Sequence, residues 1–245
     1  VRESETRKLA GLFWKRVGKR APYPRELWMP IQRAFPVSIR QIKDLSVTVV
    51  YKELASLGYN ETSVSPDRQL RGCLVAFKGN GIIFLDASDP PAEKRYSLAH
   101  EAAHFIIDHW EPRSAVAREI TPESVEVFDG EREPTVAERF KGITRGVMIR
   151  PYEHFMDRSA DGHIRISPVL LAEDKADRLA LELLAPASTV IRDHRISGVP
   201  ASEENLSMAL ADKFGLPHSV AAPYARFLVS KYVPEPSLRE RFGKK

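Results

Sequence analysis

The chain of 245 residues is 43% hydrophobic and 29% charged, with a formal net charge of +4 and a single cysteine. That length allows one substantial core or a catalytic region with helical appendages, and the lone Cys73 excludes an internal disulfide and a cysteine-rich zinc site. The sequence holds no apolar run long enough for a membrane-spanning helix, and charges interrupt Val1–Arg20 too often for a signal peptide, so a cytoplasmic location is the simplest expectation.

Residues 4–19 are predicted to be helical, with Leu9, Leu12, Phe13, Trp14 and Val17 as the apolar positions. Pro22, Pro24, Pro30 and Pro36 punctuate the next stretch, and a short helix fits between Pro24 and Ala34. Val37–Ile42 alternates like a strand, and Ser46–Leu57 reads as a helix ended by Gly58. Leu70–Phe77 and Gly81–Asp86, joined by the turn-rich Lys78-Gly79-Asn80-Gly81, predict an antiparallel hairpin. Behind Pro90 and Pro91 a long helical pattern covers Ala92–Trp110 and is expected to stop at Glu111-Pro112. Short helices are predicted over Glu123–Phe128 and Val136–Ile143, and a second hairpin over Val147–Met156 and His163–Ser167. Residues 169–184 form an amphipathic helix closed by Ala185-Pro186, with further helical segments near 202–213 and 218–231. These last two, with a turn at Gly215, resemble a helix-turn-helix. Pro223 is awkward in a recognition helix, so packing or contact with a protein partner is favoured over DNA binding. Basic residues gather at both ends, Arg7, Lys8, Lys15, Arg16, Lys19 and Arg20 at one and Arg239, Arg241, Lys244 and Lys245 at the other. They read as solvated faces and tails.

The chemistry concentrates in His100-Glu101-Ala102-Ala103-His104, an H-E-x-x-H string inside the long helix. Histidines four apart share one helical face and can bind one metal ion, while Glu101 can take a proton from the attacking water. A catalytic zinc usually has a third protein ligand. A metzincin would place Gly at 107 and His at 110, where this chain has Ile107 and Trp110. A gluzincin takes a glutamate from a later helix, and Glu173 fits best, with Asp108, Asp174 and His163 as weaker alternatives. Asp177, one turn after Glu173, can orient a ligand histidine. Two histidines and a glutamate suit Zn2+, with Mn2+ the alternative. Tyr152, His154, His163 and Arg150 lie where an oxyanion donor is needed, and His154 is the weak choice among them. Leu70–Phe77 reads either as an interior strand or as an edge that pairs with an extended substrate. Cys73 reads as packing, although Arg71 could share its face and lower its pKa.

Three stretches together, Gly72–Asp86, Arg95–His109 and the Glu173–Pro186 string EDKADRLALELLAP, resemble the ImmA/IrrE family of metallopeptidases. The resemblance implies an α+β, zincin-like fold with a small mixed sheet, and His100, His104 and Glu173 as metal ligands. It also implies Glu101 as general base and Asp177 as the partner of a ligand histidine. It further implies limited cleavage of a helix-turn-helix repressor, which would derepress genes for stress response or mobile-element transfer. The expected organisation is a helical region over 1–60, a catalytic domain over 61–190 and a helical region over 191–245. About seventy residues separate His104 from Glu173, more than the family's compact spacing, so 111–167 is expected to be an elaboration. The competing expectation is a DNA- or repressor-binding regulator whose metal is structural. The base between the two histidines argues against it, since gripping alone needs none.

Overall fold

Val37–Ile42 (β1), Gly72–Phe77 (β2) and Asn80–Asp86 (β3) form a mixed sheet in the order β1-β3-β2. The structure, a computed structural model, describes residues 3–58, 66–145 and 167–232. β1 runs parallel to β3 with Val37 opposite Gly81, and β2 runs antiparallel with Gly72 opposite Leu85. The β2–β3 turn needs only Lys78 and Gly79, at φ 48° and 77°. Two positive φ values in succession give a turn whose twist matches that of the strands.

Strand alternation sends Leu74, Ile83 and Leu85, with Val37 and Ile39 of β1, into the main core. Cys73 and Phe84 point the other way, against Leu45 and against Val50 and Leu54 of α3 (Val47–Ser56). Ser46 caps α3 by accepting the Val49 N–H. The main core also takes Ala10, Phe13, Trp14 and Val17 from α1 (Glu3–Val17) and Ile31 and Ala34 from α2 (Trp28–Ala34). Two long helices, α4 (Pro91–His104) and α8 (Ser167–Leu184), cross in that core and carry the site. Burying each aliphatic side chain such as Leu179 or Leu183 contributes about 1.5–3 kcal/mol.

Between α4 and α8 lie α5 (Glu111–Glu119), α6 (Val125–Phe128) and α7 (Val136–Arg145). After α8 come α9 (Ala187–Ser197), α10 (Glu203–Asp212) and α11 (His218–Tyr232). Leu206 and Leu210 of α10 and Ala221, Ala225 and Leu228 of α11 join the same core as Leu98 and Leu183. Arg95 of α4 reinforces this by donating to the Gly215 carbonyl at 2.9 Å and to Glu26 at 2.6 Å. One face of the helix-turn-helix-like pair is therefore committed to packing.

Two expectations need correction. The helical run does not stop at Glu111-Pro112: α4 passes into a π-helical turn, Phe105–Trp110, and continues as α5. Pro112 sits in the first turn of α5, where a missing N–H costs little, and the wider turn absorbs the break in register. Helix α9 has no counterpart among the predicted elements. It starts behind Pro186 and ends at Gly198, whose φ of 70° is the left-handed helix stop. The hairpin expected over Val147–Met156 and His163–Ser167 lies outside the described residues, apart from Ser167, which opens α8.

Candidate metal centre

Helix α4 begins with Pro91 at its first position and Glu93 in its first turn, both suited to a helix start. From Tyr96 to His104 every side chain is buried. Ala99, Ala102 and Ala103 are 0–1% exposed, and their small size lets the sheet and α8 approach on both sides. A polar stripe in such a helix can face only another element, and here it faces α8. Buried Ala176, Leu179, Ala180 and Leu183 hold α8 in the core and turn Glu173 and Asp177, one turn apart, toward the histidines.

His100 and His104 are fully buried, with their Nε2 atoms 3.0 Å apart. Glu173 places Oε2 3.4 Å from His100 Nε2 and Oε1 3.7 Å from His104 Nε2. The far sides of both rings are held as well. His100 Nδ1 donates to Asp177 Oδ1 at 2.7 Å, and His104 Nδ1 donates to Asp108 Oδ2 at 2.7 Å. Carboxylates accept, so both Nδ1 atoms donate, and in the neutral rings both Nε2 atoms present lone pairs.

With the rings neutral, three electron-rich donors thus converge. A cation among them turns that repulsion into coordination. A tetrahedral zinc with ligands at about 2.0–2.1 Å requires donors about 3.3 Å apart. The three observed separations lie on either side of that value, so His100, His104 and Glu173 fit a metal ion of this type.

Glu101 is 3% exposed, and its Oε2 meets no hydrogen-bond partner among the described residues. Its carboxyl lies against Gly72 at the start of β2, where an added Cβ would come within 3.1 Å of Oε1 and 3.2 Å of Cγ. Any side chain at this position would make the Glu101 carboxyl give way by a few tenths of an ångström. In β2 the residues that bond β3 are set by Asp86 N–H donating to Arg71 O, so their odd-numbered series pairs inward. Gly72, Leu74 and Ala76 therefore turn their N–H and C=O groups outward. No strand covers that edge among the described residues.

The π-helical turn serves the same site. Asp108 within it reaches back four residues to His104. The next residue, His109, is 2% exposed and accepts the Gly79 N–H through Nε2 at 3.1 Å, tying the hairpin turn to the metal helix. Burial lowers its pKa to about 4. Arg113 packs on Gly79 and forms a bidentate pair with Asp129, while Lys78 pairs with Glu131 at 2.6 Å. The segment after the metal helix thus grips the hairpin that carries the open edge.

His100, His104, Glu173 and Asp177 are brought together and Glu101 lies against Gly72, whereas His154, His163, Tyr152 and Arg150 lie outside the described residues. Asp174 is half-exposed and pairs with Arg178 at 2.9 Å, away from the histidines. Arg71 pairs with Glu93 at 2.8 Å and does not activate Cys73. Burial, with Glu101 adding to it, pushes the Cys73 thiol up to about 12, so this residue is packing. Sequence reasoning held Asp108 only as a ligand alternative. Its spacing of four from His104 was the available signal for its role as a ring partner. The Gly72 contact and the Tyr96 hydroxyl, which donates to Asp177 Oδ1 at 2.7 Å, had no local signal.

Comparison with known proteins agrees with this geometry. Residues 42–157 match the family model of the IrrE N-terminal-like domain, Peptidase M78. The match takes in β2, β3 and the whole of α4 but ends before Glu173 and Asp177, which the fold supplies from α8. No curated protein and no solved structure matches the chain. Over residues 42–157 the chain therefore carries an IrrE N-terminal-like domain of the ImmA/IrrE family, a metallopeptidase-type domain.

Proposed function

We propose that the chain is a zinc-dependent endopeptidase that makes a limited cut in a protein substrate, with a helix-turn-helix repressor as the substrate class that the family suggests. The observation that carries the reading is Glu101: a buried carboxylate whose Oε2 meets no partner among the described residues, placed directly after a ligand histidine and beside a strand edge that no described strand covers. A structural metal site needs no such group. Burying a carboxylate with one oxygen unsatisfied costs stability, which a catalytic role accounts for.

His100, His104 and Glu173 would hold the zinc, which supplies a Lewis acid that makes water nucleophilic near neutral pH and stabilises the developing oxyanion. Asp177 and Asp108 hold the two imidazoles in the tautomer that turns an Nε2 lone pair toward the metal position. The outward N–H and C=O groups of Gly72, Leu74 and Ala76 bond an extended substrate backbone and lay it beside Glu101. Glu101 takes the proton of the attacking water and passes it to the leaving amine.

The test pairs wild type with Glu101→Gln against the helix-turn-helix regulator encoded nearest its gene. Wild type is expected to give discrete fragments, lost on chelation and in the variant, while the variant keeps its zinc. Full activity in Glu101→Gln overturns the mechanism. Binding of the regulator without fragments favours a role as a repressor-binding protein with a structural metal.

A further inference from the structure

We infer that Tyr96 is a positioning residue for the metal centre, acting through Asp177 on His100. The inference rests on the reading that His100, His104 and Glu173 hold zinc. The two ligand histidines are supported unequally. Asp108, the partner of His104, sits one turn along the same helix, and its side chain is 14% exposed. Asp177, the partner of His100, comes from α8, and its side chain is 45% exposed. A half-exposed aspartate on a separate helix has several rotamers open to it, only one of which meets His100 Nδ1.

Tyr96 narrows that freedom. It stands one turn before His100 on α4, is 7% exposed and packs in the main core, so its ring is fixed. Its hydroxyl donates to Asp177 Oδ1 at 2.7 Å, and His100 Nδ1 donates to the same oxygen at 2.7 Å. One carboxylate oxygen is thus held by two donors from one rigid helix face. Two effects of the hydroxyl oppose each other. It draws charge from Oδ1, which weakens that atom's pull on the His100 proton, and it confines Asp177 to the rotamer that orients the ring. Three χ1 wells, with a χ2 whose two-fold settings are equivalent for a symmetric carboxylate, make the confinement a factor of about three. The confinement is the larger effect, because an ionised oxygen accepts two donors readily.

The expected result of Tyr96→Phe, which keeps the ring and its packing, is zinc bound about two- to threefold more weakly. That is less than the roughly 10–100-fold for removing a direct partner such as Asp177. Zinc affinity is measured by competition with a chromophoric chelator, together with the rate of zinc release, for wild type, Tyr96→Phe, Asp177→Ala and the double variant. Melting of the metal-free proteins reports that each is folded. Because Tyr96 acts through Asp177, the double variant is expected to bind zinc no more weakly than Asp177→Ala alone. Unchanged affinity and release in Tyr96→Phe overturn the inference, as does a further full loss in the double variant. A wild type that takes up no zinc overturns the metal reading itself and, with it, the role of Tyr96.

Discussion

Acidification puts a number on the link between the metal helix and the hairpin. His109 is 2% exposed, its Nε2 accepts the Gly79 N–H at 3.1 Å, and the rings of Phe105 and Phe128 lie 5.4 and 6.0 Å away. Protonation must break that bond and bury a cation. Burial is the main cause that lowers its pKa from 6.5 to about 4; Asp129 opposes the shift and Arg113 adds to it. The unfolded chain takes up this proton near 6.5 and the folded chain only near 4, so the unfolded state binds more protons in between. The stabilising contribution is complete above the unfolded pKa and is lost as pH falls toward 4. Between pH 7 and pH 5 the loss is about 2 kcal/mol. His109→Gln offers Gly79 an amide oxygen that does not titrate. Both proteins are melted in excess chelator, so that His100 and His104 contribute alike to each. Wild type is expected to lose about 4–8 °C more than His109→Gln over that interval. Equal losses refute the assignment of the buried neutral ring.

The same geometry sets other expectations. Asp108→Ala should weaken zinc by about 10–100-fold in a chelator competition, because His104 loses the acceptor that fixes its ring. Gly72→Val should keep its zinc but lower kcat/KM by about tenfold or more, since a side chain there displaces a Glu101 carboxyl already within 3.1 Å of an added Cβ. Zinc at about a thousand times its Kd should stabilise wild type by about 4 kcal/mol, read as a rise in Tm that chelator reverses and that His104→Ala lacks. Leu183→Ala, at a fully buried position of α8, should cost about 2–5 kcal/mol in denaturant unfolding.

Much of this site could be read in the chain because its spacings are local. The pair His100 and His104, and the pair Glu173 and Asp177, each lie four apart on one helix, and helical periodicity alone fixes their shared faces. Val37–Ile42 is a strand with the bounds its alternation gives, and the hairpin turns at Lys78-Gly79, where glycine supplies a positive φ. The features that escaped depend on how elements meet. Pro112 reads as a helix stop, yet a π-helical turn carries the chain past it, because backbone register can widen without any side-chain signature. The fit of Glu101 against Gly72 depends on how closely β2 approaches α4, and the Tyr96 contact depends on the crossing of α4 and α8. That β2 is the open edge is a consequence of strand order, which no single strand encodes.

The most direct measurement is anomalous diffraction at the zinc edge from crystals of the purified protein. A single peak about 2.0–2.2 Å from His100 Nε2, His104 Nε2 and a Glu173 carboxylate oxygen is the predicted result. A peak bound by other residues, or none in zinc-saturated crystals, contradicts the account at its foundation.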